Sequence, residues 1–409
     1  MRHTISKVTR KAAREAVEGR IVTIPNDVWR SDALNHDKRI RTLLGAGLMT
    51  SKDHSIDSKK HKKKQHQKDD GWTALDPKNP VYNFLIEYYG IKGAKGPRRL
   101  ARWSPDPSLI FHQQTPSIPF EELLNELRTN LGHEKNDNGN NVLLERLQKG
   151  GGILLEDAIP DDIGSTLHLR GATYIENVGI LYSPALHFTQ QPQQNNNTRT
   201  TSTNSASSSY RWYQSILSNT IQSTPILHCY GLHEWAMQYQ PPNAPPPPSA
   251  KYQSHLPLRV SQQTINTLVE RKGISCTHVD ALRYFAPAAK PLNQYGGNLD
   301  RADQLNLEQK GCVHATMDLF KISLRLQPFV DASLIGDALE VALLARRLDV
   351  EASPYDATAY GLGVVYVETN EGRAEYKRRQ VEVMEKAEVV RKKLLSAYDD
   401  FLMLALFDE

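Results

Sequence analysis

Apolar side chains recur at helical spacing through the second half of the chain. Between residues 331 and 348, Leu334, Ile335, Ala338, Val341, Ala342 and Ala345 fall on one stripe of a 3.6-residue helix. The same period runs through 312–327 and 372–406. Earlier, Val81, Phe84, Leu85 and Tyr88 keep helical spacing within 80–89, with Pro80 at the start, and the pattern returns over 119–131. A Gly/Asn-rich break follows at 132–141. The run GLGVVYVET at 361–369 reads as a short strand. Strands and helices do not alternate, which argues against a doubly wound parallel sheet. The pattern predicts a mainly α fold: one irregular multi-helix domain with a few short strands, over residues 76–409.

Polar tracts interrupt this pattern. Residues 189–209 are almost all Gln, Asn, Thr and Ser, and 240–250 are mostly proline, so both are expected as low-complexity surface loops. Residues 50–71 are polar and carry Lys59, Lys60, Lys62, Lys63 and Lys64 with His61 and His66. Residues 1–75 are therefore expected to form a basic, largely disordered arm, a solvated linker rather than a nucleic-acid contact or nuclear address.

Charge sharpens that division. Residues 1–68 hold 17 Lys+Arg against 7 Asp+Glu, and the remainder holds 33 against 39. The body is mildly acidic, which argues against a broad nucleic-acid-binding face. A nucleic-acid partner would have to be held through the arm. No run approaches ~18 apolar residues, so no membrane partner is expected. The N-terminus lacks the apolar region of a secretory signal, and no acid precedes Glu15, which leaves an organellar leader open. Cys229, Cys276 and Cys312 form no C-x-x-C pair, which excludes a zinc ribbon and a disulfide scaffold. An intracellular location is expected, in cytoplasm or nucleus.

No glycine-rich phosphate loop, nucleophile elbow or H-E-x-x-H motif is present. Four segments instead place His or Asp/Glu among apolar and aromatic residues. In HCYGLHEWAMQY (228–239), adjacent His233 and Glu234 are not expected to share one helix face. In CTHVDALRYF (276–285), His278 and Asp280 lie two apart, and Asp280 and Arg283 three apart. In 301–321, His314 and Asp318 are four apart on an expected helix, so their side chains meet. In LDVEASPYD (348–356), Asp349 and Asp356 flank a proline turn. Each segment has a plain structural alternative: a core histidine bonded to backbone, an N-cap, an ordinary helical pair, a proline turn. Together they suggest one buried cluster, because hidden polar groups are most easily satisfied by one another.

Seven segments also carry a resemblance. NPVYNFLIEYY, RRLARWSP, CYGLHEWAMQY, CTHVDALRYFAPAAKPLN, EQKGCVHATMDLFK, LDVEASPYD and ETNEGRAEY follow one another within about residues 79–380. In that order they resemble a family of bacterial proteins labelled 3-methyladenine DNA glycosylases. The lysine-rich arm and the low-complexity tracts look like eukaryotic additions to that core. The resemblance implies a shared fold and a shared site. It assigns no catalytic residue, and no glycine-rich hairpin precedes Asp280, Asp318, Asp349 or Asp356.

The expected function is thus an enzyme acting on a small-molecule substrate through His233, Glu234, His278, Asp280, His314 and Asp318. Trp235, Tyr239, Arg283, Tyr284 and Arg301 are expected to bind the substrate. His233, His278 and His314 would ligate a divalent transition metal if one is the cofactor. The alternatives are a DNA N-glycosylase, with Asp280 or Asp318 as its carboxylate and aromatics stacking a flipped base, and a non-catalytic scaffold.

Overall fold

The computed structural model describes residues 14–49, 71–130, 141–188, 203–247 and 255–406. Among the described residues, thirteen helices surround a small sheet of five strands. The first part contains β1 (Arg20–Ile24), α1 (Asn26–Leu44), α2 (Asn83–Glu87), α3 (Lys95–Leu100), β2 (Ser117–Pro119), α4 (Leu124–Asn130) and α5 (Val142–Gly150). Next come β3 (Gly152–Glu156), β4 (Ala172–Ile175) and β5 (Gly179–Tyr182). The remainder is helical: α6 (Thr203–Gln222), α7 (Leu232–Met237), α8 (Gln262–Lys272), α9 (Val279–Leu282), α10 (Arg301–Leu307), α11 (Val313–Leu326), α12 (Ala332–Glu351) and α13 (Asn370–Ala405).

The sheet runs in the order β2-β1-β3-β5-β4, with β1 and β3 parallel and the other pairs antiparallel. Its central strands β3 and β5 are buried on both faces. One face lies over a core of Phe120, Leu127, Leu147 and Leu181, and the other joins the main core through Ile153, Leu155 and Tyr182. That main core is built on α12, which packs against α1, α11 and α13. Central position explains the composition of α12. It is apolar almost all round, and the few charged groups it buries are Arg346, Asp349 and Glu351. Asp331 opens the helix by accepting the Ser333 N–H at 2.9 Å.

The mainly α, single-domain fold is as the periodicity foretold, but the boundaries of the arm are corrected. Residues 14–49 belong to the folded body. Val22, Trp29, Ile40 and Leu44 are fully buried, and β1 supplies two sheet pairings. The Trp29 indole N–H donates to the Glu156 carbonyl at 2.9 Å, bolting α1 onto β3. The basic surplus of residues 1–68 obscured this, because charged groups occupy the outer face of an amphipathic helix whose inner face is apolar. The lysine run at 59–64 lies outside the described residues.

Two further expectations change. Residues 203–209 of the polar tract form the start of α6 instead of a loop, with Ser207 and Tyr210 buried; residues 189–202 lie outside the described residues. Residues 241–247 of the proline tract follow an irregular path, and 248–254 lie outside the described residues. Residues 361–369 are not a strand. Val365 and Val367 bury their side chains, but the Val365 N–H goes to the Glu351 carbonyl at 2.7 Å, and among the described residues no strand pairs with this segment.

Trp29 gives a direct check on the N-terminal segment. Trp29→Ala should destabilise the protein by about 3–5 kcal/mol, the usual penalty for emptying a large aromatic core site. Removing residues 1–48 should abolish cooperative urea unfolding. A truncated chain that melts like the full-length protein would show that the segment packs without contributing.

Candidate functional site

A cleft of about 320 Å³ opens between α2, α7, α9, α11 and α12, and the polar groups of three of the four sequence segments line it. His233, Glu234, His278, Asp280, His314 and Asp318 all border this one space, as do Arg283, Tyr284 and Arg301. The imidazoles of His233 and His314 meet edge to face with centroids 4.4 Å apart, and those of His278 and His314 lie 5.5 Å apart.

α7 presents its pair through an unusual start. Tyr230 and Gly231 both take positive φ, 48° and 66°. A Cβ at Gly231 would stand 3.0 Å from the Tyr376 ring, so only glycine gives the chain this turn without displacing α13. The helix is short, and His233 and Glu234 both reach the cleft in spite of being adjacent. Trp235 points the other way: it is fully buried and donates to the Ala352 carbonyl at 2.8 Å. Tyr239 lies beyond the helix and donates to Glu270 at 3.0 Å. Neither lines the cleft, so both expected substrate contacts are structural.

His278 caps α9. Its Nδ1 accepts the Ala281 N–H at 3.1 Å, which requires that nitrogen to be unprotonated and leaves the hydrogen on Nε2. Nε2 stands 3.5 Å from Asp318 Oδ2. Burial works to lower the His278 pKa, but Asp318 overcomes it and the net shift is upward. Asn293 fixes the preceding backbone by accepting from Cys276 N–H at 2.9 Å and donating to Cys276 O at 3.0 Å.

Asp318 is the hub of one charged network. It accepts from the Tyr89 hydroxyl and from Lys321, both at 3.1 Å. Lys321 also reaches Asp280 at 3.1 Å, and Asp280 meets Arg283 at 3.2 Å. Burial would raise the Asp318 pKa, yet His278 and Lys321 together hold it well below the usual carboxylate range. A second network centres on Arg346. Its Nη1 donates to Glu234 at 2.8 Å and to Asp349 at 2.6 Å, and its Nε donates to the Pro80 carbonyl at 3.0 Å. Asp349 is wholly buried, and His314 Nε2 lies 3.8 Å from its Oδ2.

The histidines between these networks are uncharged. Burial pushes His233 down to about 4 against the pull of Glu234, and drives His314 well below its ordinary value with help from His233 and His278. Tyr89, Lys321 and Arg346 were missed by sequence reading. Lys321 and Arg346 had a signal: each is three residues from a buried aspartate on the same helix, Asp318 and Asp349. Tyr89 had none. Asp356, at the end of the fourth segment, is instead a turn residue accepting from Thr358.

The donors do not suit a metal ion. Among the described residues no group of three His, Cys, Asp or Glu is placed to hold one. The three imidazoles lie edge to face or tilted against one another, His278 has Nδ1 taken by the cap, and Glu234, Asp280, Asp318 and Asp349 are each engaged by a cation. The expected ligand set His233, His278 and His314 thus gains no support from the arrangement of the described residues. No helix of the described residues is long and apolar enough to cross a membrane. Comparison with family models, with curated proteins and with solved structures gives no match.

Asp349 makes the site's electrostatics measurable. Burial raises its pKa to about 7, with Glu234 adding to the rise and Arg346 opposing it. The folded chain thus keeps a proton that the unfolded chain releases near its ordinary value of 3.8. This contribution to stability is full below that value, falls as pH rises, and is gone above about 7. Asp349→Asn, neutral throughout, should remove that fall, so urea midpoints taken from pH 5 to 8 should be flatter than those of the parent. Parallel curves would show that Asp349 titrates normally.

Proposed function

We propose that the cleft is the active site of an enzyme that performs general acid–base chemistry, of hydrolytic type, on a small neutral or cationic molecule. One observation carries this reading: neutral imidazoles, His314 and His233, border a cleft of small-molecule size with buried Asp349 behind His314. A base must be unprotonated at working pH and must reach its substrate, and burial supplies the first condition for His314.

The roles follow from what each group has left to offer. His314 takes a proton from water or substrate, and Asp349, 3.8 Å away, steadies the imidazolium that forms to the extent that it is ionised near its raised pKa of about 7. His278 is spent on its cap and on Asp318, so it positions that carboxylate. Asp318, fixed by Tyr89, Lys321 and His278, remains ionised and stabilises positive charge that develops in the substrate. Glu234 and Arg346 offer an acceptor and a donor side by side. Tyr88 and Tyr284, whose rings meet at 5.5 Å, form an aromatic wall at the mouth. The lining cations Lys321, Arg283 and Arg346 are each held by a carboxylate, and Glu87 adds a negative charge at the rim. Arg301, the fourth lining cation, bonds the Gln304 side chain at 2.9 Å and pairs with no carboxylate among the described residues, so a single anionic group would be met there; with the other three engaged, the reading favours neutral or cationic molecules.

A DNA N-glycosylase is the second reading. It draws on the ionised Asp318 set among Tyr88, Tyr89 and Tyr284, the combination that cleavage of a glycosidic bond to a flipped base would use. The acidic body weighs against phosphate contacts.

The full chain should be incubated with panels of free esters, amides and glycosides, and separately with alkylated duplex DNA, with products followed by mass spectrometry. For any small molecule turned over, His314→Gln should lower kcat by about 10²–10⁴-fold with circular dichroism unchanged. A His314→Gln protein as fast as the parent would remove His314 from the chemistry. Release of bases from duplex DNA, weakened by salt, would move the assignment to the second reading.

A further inference from the structure

A second hollow, of about 660 Å³, lies beside α1 and is lined from α1, from the turn after Trp103 and from the start of α12. Three carboxylates border it: Asp32, Asp106 and Asp331. Asp106 and Asp331 each cap a helix, accepting from Ser108 and Ser333. Arg39 is the cation in the lining, and it is already committed to Asp337 at 2.8 Å, Glu340 at 3.0 Å and the Ser333 carbonyl at 3.0 Å. The hollow therefore has surplus negative charge. The repulsion registers in the acids themselves: burial, then Asp331, raises the pKa of Asp32.

An independent feature points to a ligand. His36 borders the same hollow and is only 5% exposed. Its Nε2 is fixed at 2.8 Å to the Leu100 carbonyl and so carries the hydrogen, which leaves Nδ1 as a bare acceptor with no partner among the described residues. Burial keeps the ring neutral. A buried lone pair of this kind is costly unless a donor meets it. The rest of the wall is apolar: Trp103, Val28, Leu109 and Pro116. The combination asks for a molecule that is positively charged, rich in N–H donors and clad in methylene groups.

We propose that this hollow is a separate binding site for a small organic amine, with its ammonium groups among Asp32, Asp106 and Asp331 and its carbon chain against Trp103. A bare metal ion would leave the apolar wall and most of the volume unused, and among the described residues no group of three ligands is placed for one. The indole face adds a cation–π contribution that a hydrated metal ion would forgo.

Titration calorimetry of the full chain with spermidine at low salt should show saturable binding, weakened when salt is raised because the contacts are ionic. Asp32 is exposed and makes no hydrogen bond to the described residues, so Asp32→Asn should leave the fold intact while weakening binding about tenfold, the effect of one lost ion pair near a surface. Asp280→Asn, in the first cleft, should leave spermidine affinity unchanged. No binding at millimolar spermidine would overturn the proposal. So would the converse result, with Asp280→Asn weakening binding and Asp32→Asn not, since that places the amine in the first cleft. Displacement of spermidine by an equal concentration of magnesium would overturn it in favour of a metal site.

Discussion

Arg346 is the interaction on which the rest of the site depends. Its guanidinium is buried on the central helix, where an unpaired charge would be untenable, and it is satisfied from three separate stretches of chain: Pro80 ahead of α2, Glu234 on α7 and Asp349 on α12 itself. Those bonds fix where the three stretches stand relative to one another. They also set an imbalance, because two buried carboxylates share one cation. The imbalance is relieved by keeping a proton on Asp349, and it is this group that stands behind His314. Substituting Arg346 would therefore do more than delete an ion pair; it would leave Glu234 and Asp349 in the core without their shared donor.

The second network repeats the logic with a different outcome. Lys321 joins Asp318 to Asp280 just as Arg346 joins Glu234 to Asp349, but here Tyr89 and His278 add further donors around Asp318. With that support the carboxylate stays ionised. The two sides of the cleft thus hold aspartates pushed in opposite directions, one toward the acid and one toward the anion, by the number of donors each receives and not by depth alone, since both are buried. The neutral histidines lie between.

How far this could be read from the chain varies by element. The helices of the second half were plain because an apolar stripe at 3.6-residue spacing survives whatever surrounds it, as in α12 and α13. The sheet was not, because β1, β3 and β5 are short apolar runs whose two faces are both covered, and such runs carry no alternation to mark them. The N-terminal helix was hidden by its own solvated face. The clustering of His233, His278 and His314 was legible from cost: each lay in a segment too apolar to leave it unpartnered. Trp235 and Tyr239 were misplaced for a related reason, since aromatic residues beside a site in sequence are as often the packing under it as its lining.

Sequence also gave no way to rank the histidines, and free lone pairs do rank them. His278 sits in the most suggestive motif, two residues from an aspartate, yet both its nitrogens are directed at the protein: Nδ1 at the Ala281 N–H and Nε2 toward Asp318. To accept a proton from substrate it would have to abandon the cap of α9 or turn from the carboxylate, and either would loosen the wall that holds Asp318. His314 carries no such duty. It has no hydrogen bond to the described residues, its side chain is 17% exposed toward the cleft, and its carboxylate neighbour lies at 3.8 Å, beyond a tight bond but close enough to steady a charge. A loosely held imbalance of this sort suits a group that must gain a proton and give it back within one cycle, whereas a tightly bonded imidazole suits a group that must not move. Two histidines that look alike on paper are separated into a positioning role and a transferring role by which of their nitrogens the fold has already used.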